Sequence, residues 1–185
     1  MAKCHLCFEH REGIVTEHPL NAAVILEVFN RHEVQYVVIG AFAAIAQQAP
    51  IPATRDIDLT PSASMGNRAR LSEALRELDA RIRVDGIADG LAFDHDAASL
   101  GRSEIWNLIS PFGEFDLSFF PSAFAGGYEQ LIVRAHSVSV GGVVVVIADL
   151  TDVIASKEAA GRPKDLQVLP TLIRHQQKLN VKRDV

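Results

Sequence analysis

Apolar positions along this chain follow two rhythms. At helical spacing they mark residues 19–34, where Val24, Ile25, Val28 and Phe29 share a face and Asn21 stands where a cap is wanted. They mark 67–80 most clearly, with Leu71, Ala74, Leu75 and Leu78 at i, i+3, i+4 and i+7 and charges opposite. A short alanine-rich helix is expected over 41–49, stopped by Pro50 and Pro52, and another near 126–135. Helices over 149–161 and 162–180 close the chain, the first ended by Gly161 and the second started by Pro163.

At strand spacing the pattern predicts a buried run at 35–40 and a second strand at Thr54-Arg55-Asp56-Ile57-Asp58-Leu59. Two hairpins follow, one around Pro111-Phe112-Gly113 and one around Gly141-Gly142. The order is helix–strand–helix–strand–helix, then hairpins, then helices. It describes an α+β or α/β domain with a mixed sheet and a helical C-terminal end.

At 185 residues with 48% hydrophobic content, the chain is long enough to bury a core in one domain, read as 19–185 after a flexible tail at 1–18. A formal charge of −5 argues against polyanion binding by the molecule as a whole, while leaving room for a local basic patch. There is neither a membrane-spanning apolar run nor a signal-peptide pattern, so the expectation is a cytoplasmic protein with no membrane partner. Cys4 and Cys7 have C-x-x-C spacing, with His5 and His10 beside them. They read as two reduced thiols of a tail, or as a zinc or redox site.

The strand at 54–59 carries the chemistry. Asp is depleted in strands, yet Asp56 and Asp58 stand one residue apart there. Alternation puts both carboxylates on one face, roughly 6.5–7 Å apart at Cα, with Ile57 and Leu59 anchored opposite. Such a pair can hold a divalent cation through hard oxygen ligands, or serve as the charged face of an edge strand. Asp116, between Phe115 and Leu117, is a third acid in a similar context. If its strand neighbours the first, three carboxylates converge. Asp94 and Asp96 repeat the D-x-D spacing beside alanines and Gly101, and read as a loop.

Gly40, between a buried strand and a helix, lets backbone approach a ligand, and the new helix offers N–H groups to a phosphate. Lys157 continues the apolar stripe of Leu150, Val153 and Ile154. It either snorkels to water or points into a cleft to neutralise a triphosphate. Asp165, near the start of the last helix, meets the helix dipole. Arg174, His175, Lys178, Lys182 and Arg183 make the C-terminus basic, as a solvated face or a guide for an RNA backbone.

Four separated motifs stand in order: VVIGAFAAIAQQAPIPATRDIDLTP, NRARLSEALREL, GEFDLSF and VIASKEAAGRPKDLQVLP. Over roughly residues 20–175 they resemble the nucleotidyltransferase-fold superfamily, and within it the AbiEii/AbiGii-type, DUF1814-like toxin nucleotidyltransferases. The resemblance implies an α+β fold with a small mixed sheet and flanking helices. It implies that Gly40 and Ala41 hold nucleotide phosphates, that Asp56 and Asp58 bind Mg²⁺ or Mn²⁺, and that Asp116 completes the metal site. Lys157 and Asp165 match the lysine and later acid of the toxin-type members, where the lysine contacts the nucleotide. The chain departs from the pattern with Gly-Ala-Phe at 40–42, so a phosphate contact at Ala41 would be to backbone. It has Pro52 where an arginine is common, and Arg55 just after Thr54 instead.

The expected activity is transfer of a nucleoside monophosphate from an NTP to a hydroxyl of an RNA, a tRNA 3′ end or a protein, with a cognate antitoxin as a further partner. Two alternatives are a small-molecule (antibiotic) nucleotidyltransferase and a non-catalytic relative that binds a nucleotide or a partner.

Overall fold

The computed structural model describes residues 19–183, so the Cys4/Cys7 pair, its histidines and the 1–18 tail lie outside the described residues. The chain begins with α1 (Ala22–Arg31), β1 (Tyr36–Ile39), α2 (Gly40–Ala46), β2 (Asp56–Pro61) and α3 (Met65–Glu77). A hairpin follows, β3 (Arg81–Val84) and β4 (Ile87–Leu91), then α4 (Ala97–Leu100). A second hairpin is β5 (Ile105–Ser110) with β6 (Gly113–Ser118), and α5 (Gly127–Leu131) leads to a third, β7 (His136–Val140) with β8 (Val143–Ile147). Helices α6 (Leu150–Ala160) and α7 (Pro163–Arg183) end the chain. Among the described residues no helix is long and apolar enough to cross a membrane.

The strands form one mixed sheet in the order β4-β3-β5-β6-β2-β1-β8-β7. This is the expected α+β architecture: a mixed sheet, flanking helices and a helical C-terminal end. The central position of β1 follows from its composition, because Tyr36, Val37, Val38 and Ile39 are all buried and only a strand covered on both faces is apolar throughout. Strand β2 runs antiparallel to β1 and parallel to β6. Its Ile57 and Leu59 are fully buried, as are Phe115 and Leu117 of β6. Phe29 of α1 packs edge-on to Phe115, with ring centroids 6.1 Å apart, so α1 covers the face away from the acids. Burying a side chain of this size contributes about 2–3 kcal/mol.

Local signals place the ends of several elements. Asn21 caps α1 by accepting from Val24 N at 3.4 Å. Asp149 caps α6 through Thr151 N at 2.8 Å. Gly161 ends α6 in the left-handed region at φ 61°, and α7 starts two residues later at Pro163. Buried Asn67 joins three segments, accepting from Gln35 N and donating to the carbonyls of Gln35 and Ser62.

The periodicity reading differs from the structure in two places. The β3–β4 hairpin went unread, although Asp85-Gly86 separates its strands. β3 is half-buried throughout and β4 is exposed except at Gly90, and neither has an apolar run to mark it. The stretch read as a loop around Asp94 and Asp96 contains α4, which Asp96 caps by accepting from Ala98 N and Ser99 N. The carboxylate there closes a helix end.

Candidate active site

Strands β2 and β6 lie side by side with Asp56 opposite Glu114, Ile57 opposite Phe115, Asp58 opposite Asp116 and Leu59 opposite Leu117. Asp-Ile-Asp-Leu and Glu-Phe-Asp-Leu therefore match position for position. Apolar residues enter the core from one face, and four carboxylates occupy the other in two adjacent rows.

Asp58 is the centre of this face. It also pairs with Ile39 at the end of β1, which brings it against Gly40, the first residue of α2. A Cβ built on Gly40 would fall 1.9 Å from Asp58 Oδ2, and the Gly40 backbone is left-handed at φ 75°. The glycine therefore makes room for a carboxylate of the protein itself. Burial, then repulsion from Asp56 and Asp116, pushes the Asp58 carboxyl up to about 7, against weaker attraction from Lys157 and Arg162.

The flanking acids have partners. Thr54 Oγ1 donates to Asp56 Oδ1 at 2.6 Å. Arg83 on β3 donates through Nη2 to Asp116 Oδ1 and Oδ2 at 3.0 and 3.3 Å, and through Nη1 to Glu114 Oε2 at 2.5 Å. Burial raises the Asp116 carboxyl, and the neighbouring carboxylates add to this against the opposing pull of Arg83. With Asp56 and Asp116 so engaged, no three acidic, imidazole or thiolate groups among the described residues are gathered tightly enough to clasp one ion as they stand.

The donor set nevertheless suits a hard divalent cation. It is all oxygen, and no hydrogen-bond donor among the described residues engages the Asp58 carboxylate. Its raised pKa means that added positive charge would relieve the site.

Lys157 and Arg162 both act on Asp58 through space, so the cations of α6 and the α6–α7 corner offset part of the repulsion there. Lys157 neither snorkels nor stands free. Its Nζ lies 2.7 Å from Asp165 Oδ1, and Arg162 Nε lies 2.6 Å from Asp165 Oδ2. Asp165 is 1% exposed and Lys157 11%. Burial would raise the Asp165 carboxyl, but the hydrogen bonds from Lys157 and Arg162 prevail and hold it below the usual carboxylate range.

The structure thus brings Asp56, Asp58, Asp116 and Gly40 together, while Lys157, bonded to Asp165, acts on Asp58 through space. Ala41 follows in the first turn of α2 and is half-buried, while Arg55 is exposed just before β2. Arg83, Glu114 and the pairing role of Arg162 were not anticipated. Arg81-Ile82-Arg83-Val84 alternates charge with branched apolar residues, as Asp56–Leu59 does, and that alternation was the available signal. On α7, Arg174 is exposed and bonds Thr171, while His175 reaches the Gln47 carbonyl at 2.9 Å. The side chains of Lys182 and Arg183 lie outside the described residues.

No protein-family model matches the chain, and no curated protein matches it by sequence. Solved structures do match. The lincosamide antibiotic adenylyltransferase LnuA, bound to lincomycin, aligns with a TM-score of 0.54 at 12% identity, over 80% of this chain and 92% of that one. The antibiotic-resistance factor ANT(2'')-Ia aligns with a TM-score of 0.53 at 15% identity, over 86% and 85%. Its complex with adenylyl-2''-tobramycin aligns at 0.50 and 16%, over 86% and 91%. These likenesses show a nucleotidyltransferase fold. Membership of the AbiEii/AbiGii branch goes beyond what they show.

Proposed function

We propose that this protein is a divalent-cation-dependent nucleotidyltransferase. The observation that carries the reading is the Asp58 carboxylate, packed on Gly40 at the start of a helix and opposed by Asp116, with Asp56 beside it and Lys157 acting on it through space, in a fold shared with nucleotidyltransferases.

Asp56 and Asp58 would hold Mg²⁺ or Mn²⁺, with Asp116 as a further ligand or as the base that accepts the proton of the acceptor hydroxyl. When bound, such an ion supplies neutralisation and alignment of the phosphates. The chain's own residues do the rest. Backbone N–H groups at Gly40 and Ala41 face the nucleotide phosphates. Lys157, Arg162 and Arg55 offset the triphosphate charge, and Asp165 holds Lys157 and Arg162 in place. The acceptor oxygen attacks the α-phosphorus in line, the bond to the bridging oxygen of the β-phosphate breaks, and pyrophosphate leaves with that electron pair.

For the acceptor, a small hydroxyl-bearing molecule is the first reading, supported by the lincomycin-bound and adenylyl-tobramycin structures. The acidic row at Asp56, Asp58, Glu114 and Asp116 also suits a cationic acceptor better than a polyanion. An RNA or tRNA end, or a protein hydroxyl, in a toxin–antitoxin setting is the second. The exposed basic residues Arg174 and Lys178 on α7 favour it.

Incubation with each α-labelled NTP and Mg²⁺, against aminoglycosides, lincosamides, total RNA and lysate protein, tests the activity and sorts the acceptors. Transfer that disappears in Asp58→Ala is the expected result. Nucleotide binding without transfer to any acceptor would favour the non-catalytic reading instead.

A further inference from the structure

Asp116 is already engaged by a cation of the protein itself. The Arg83 guanidinium reaches from β3 across β5 to β6, bridging Glu114 at 2.5 Å and both oxygens of Asp116 at 3.0 and 3.3 Å. Asp58, directly opposite Asp116, receives no such donor among the described residues. We propose that Arg83 is a positioning residue that competes with the divalent cation for Asp116. The proposal rests on the cation reading of the acids given above.

Four carboxylates share this face at neighbouring register positions, and like charges so placed repel strongly in a half-buried setting. One planar guanidinium can bridge two of them through separate N–H groups, which a lysine ammonium does less well. Arg83 thereby offsets the repulsion in the row on β6 and turns Asp116 toward β3. Asp56 and Asp58 remain as the first anchors for an incoming ion. For Asp116 to join them its bonds to Arg83 must be exchanged for the ion. The guanidinium keeps Glu114 through that exchange, so no buried charge is stranded and the exchange is reversible. Occupancy by the ion alone is therefore held weak, and phosphate oxygens arriving with the nucleotide supply the ligands that Asp116 withholds.

The test is a titration with Mn²⁺ alone, following free Mn²⁺ by electron paramagnetic resonance, alongside thermal unfolding of each variant. Arg83→Gln is expected to bind Mn²⁺ about tenfold more tightly than the wild-type protein, whereas a residue with only a structural role would leave affinity unchanged or weaken it. Arg83→Met keeps the apolar stem and reads the same exchange should the glutamine variant not fold. Arg83→Lys, which keeps the charge but loses the fork that bridges the two acids, is expected to fall between wild type and Arg83→Gln. Arg81→Gln controls for removal of a nearby positive charge, because Arg81 pairs with Asp79 at 3.6 Å and not with the acids. Unchanged or weaker binding in Arg83→Gln and Arg83→Met overturns the proposal, and so does equal tightening in Arg81→Gln. If the wild-type protein binds no Mn²⁺, or Asp58→Asn binds it as well as wild type, the cation reading falls and this proposal with it. Intact Asp58-dependent binding that is indifferent to Arg83 sinks only the proposal.

Discussion

The Asp58 carboxylate occupies the space that a side chain at position 40 would need, its Oδ2 lying 1.9 Å from a Cβ built on Gly40. Two penalties therefore meet in Gly40→Ala, a steric clash and a left-handed backbone at φ 75°. The variant is expected to lose about 2 kcal/mol or more of stability. Chemical denaturation of Gly40→Ala, Asp58→Ala and the double variant checks this. The alanine at 40 should be better tolerated once Asp58 is truncated, and strictly additive losses would show that the two residues do not compete for that space.

Asp58 also makes stability depend on pH in a particular direction. Its carboxyl is raised from 3.8 to about 7, so between those values the folded protein holds a proton that the unfolded chain has released. Its contribution is complete below about pH 4 and is lost as pH rises through about 7. Without added cation, the melting-temperature difference between wild type and Asp58→Asn should move against wild type from pH 5 to pH 8. Mg²⁺ should raise the wild-type melting temperature more at pH 8 than at pH 5.5. A flat difference across that range would contradict the assignment.

Asp165 holds two cations from a buried position, and the three members of this cluster should not respond alike. Asp165→Ala leaves Lys157, itself 11% exposed, without its partner, and is expected to cost about 3 kcal/mol. Arg162 is 60% exposed, so Arg162→Ala should cost less than about 1 kcal/mol. Urea unfolding gives this ranking directly. Nucleotide titration should show weaker NTP binding in Asp165→Asn, because the amide lacks the charge and the second oxygen by which the carboxylate holds Lys157 and Arg162 together.

Arg134 and Asp152 form an ion pair that includes none of the acids on the β2–β6 face, and so offer a control. Asp152 is 1% exposed in the first turn of α6, and Arg134 is its ion-pair partner. Arg134→Ala leaves a buried carboxylate without that partner and should cost about 2 kcal/mol. NTP binding and transfer at a temperature where the variant is folded should match wild type. A selective loss of transfer would mean that α6 communicates this change to Lys157.

Local pattern carries far along this chain. Strict alternation around Asp56-Ile57-Asp58-Leu59 determines that the two acids share a face opposite the core, whatever the strand's neighbours. The same rule applies to Glu114-Phe115-Asp116-Leu117. Helical periodicity and caps mark α1, α3, α6 and α7, because those signals act within one or two turns. The β3–β4 hairpin is marked only by the four-residue alternation of Arg81-Ile82-Arg83-Val84, a weak signal because the pair lies half-exposed at one end of the sheet, where burial reinforces the pattern little.

Only the tertiary structure decided what the acids meet. That β6 lies parallel to β2 with Asp116 opposite Asp58 is a matter of strand order and register between segments more than fifty residues apart, and no local signal encodes it. That Gly40 accommodates Asp58, that Arg83 spans a strand to reach Asp116, and that Asp165 holds Lys157 all depend on that packing. The sequence by itself determined which residues carry charge and toward which face of their own element they point. Long-range strand pairing and the reach of long side chains determined which charges stand together, because those distances exist only once the sheet has closed.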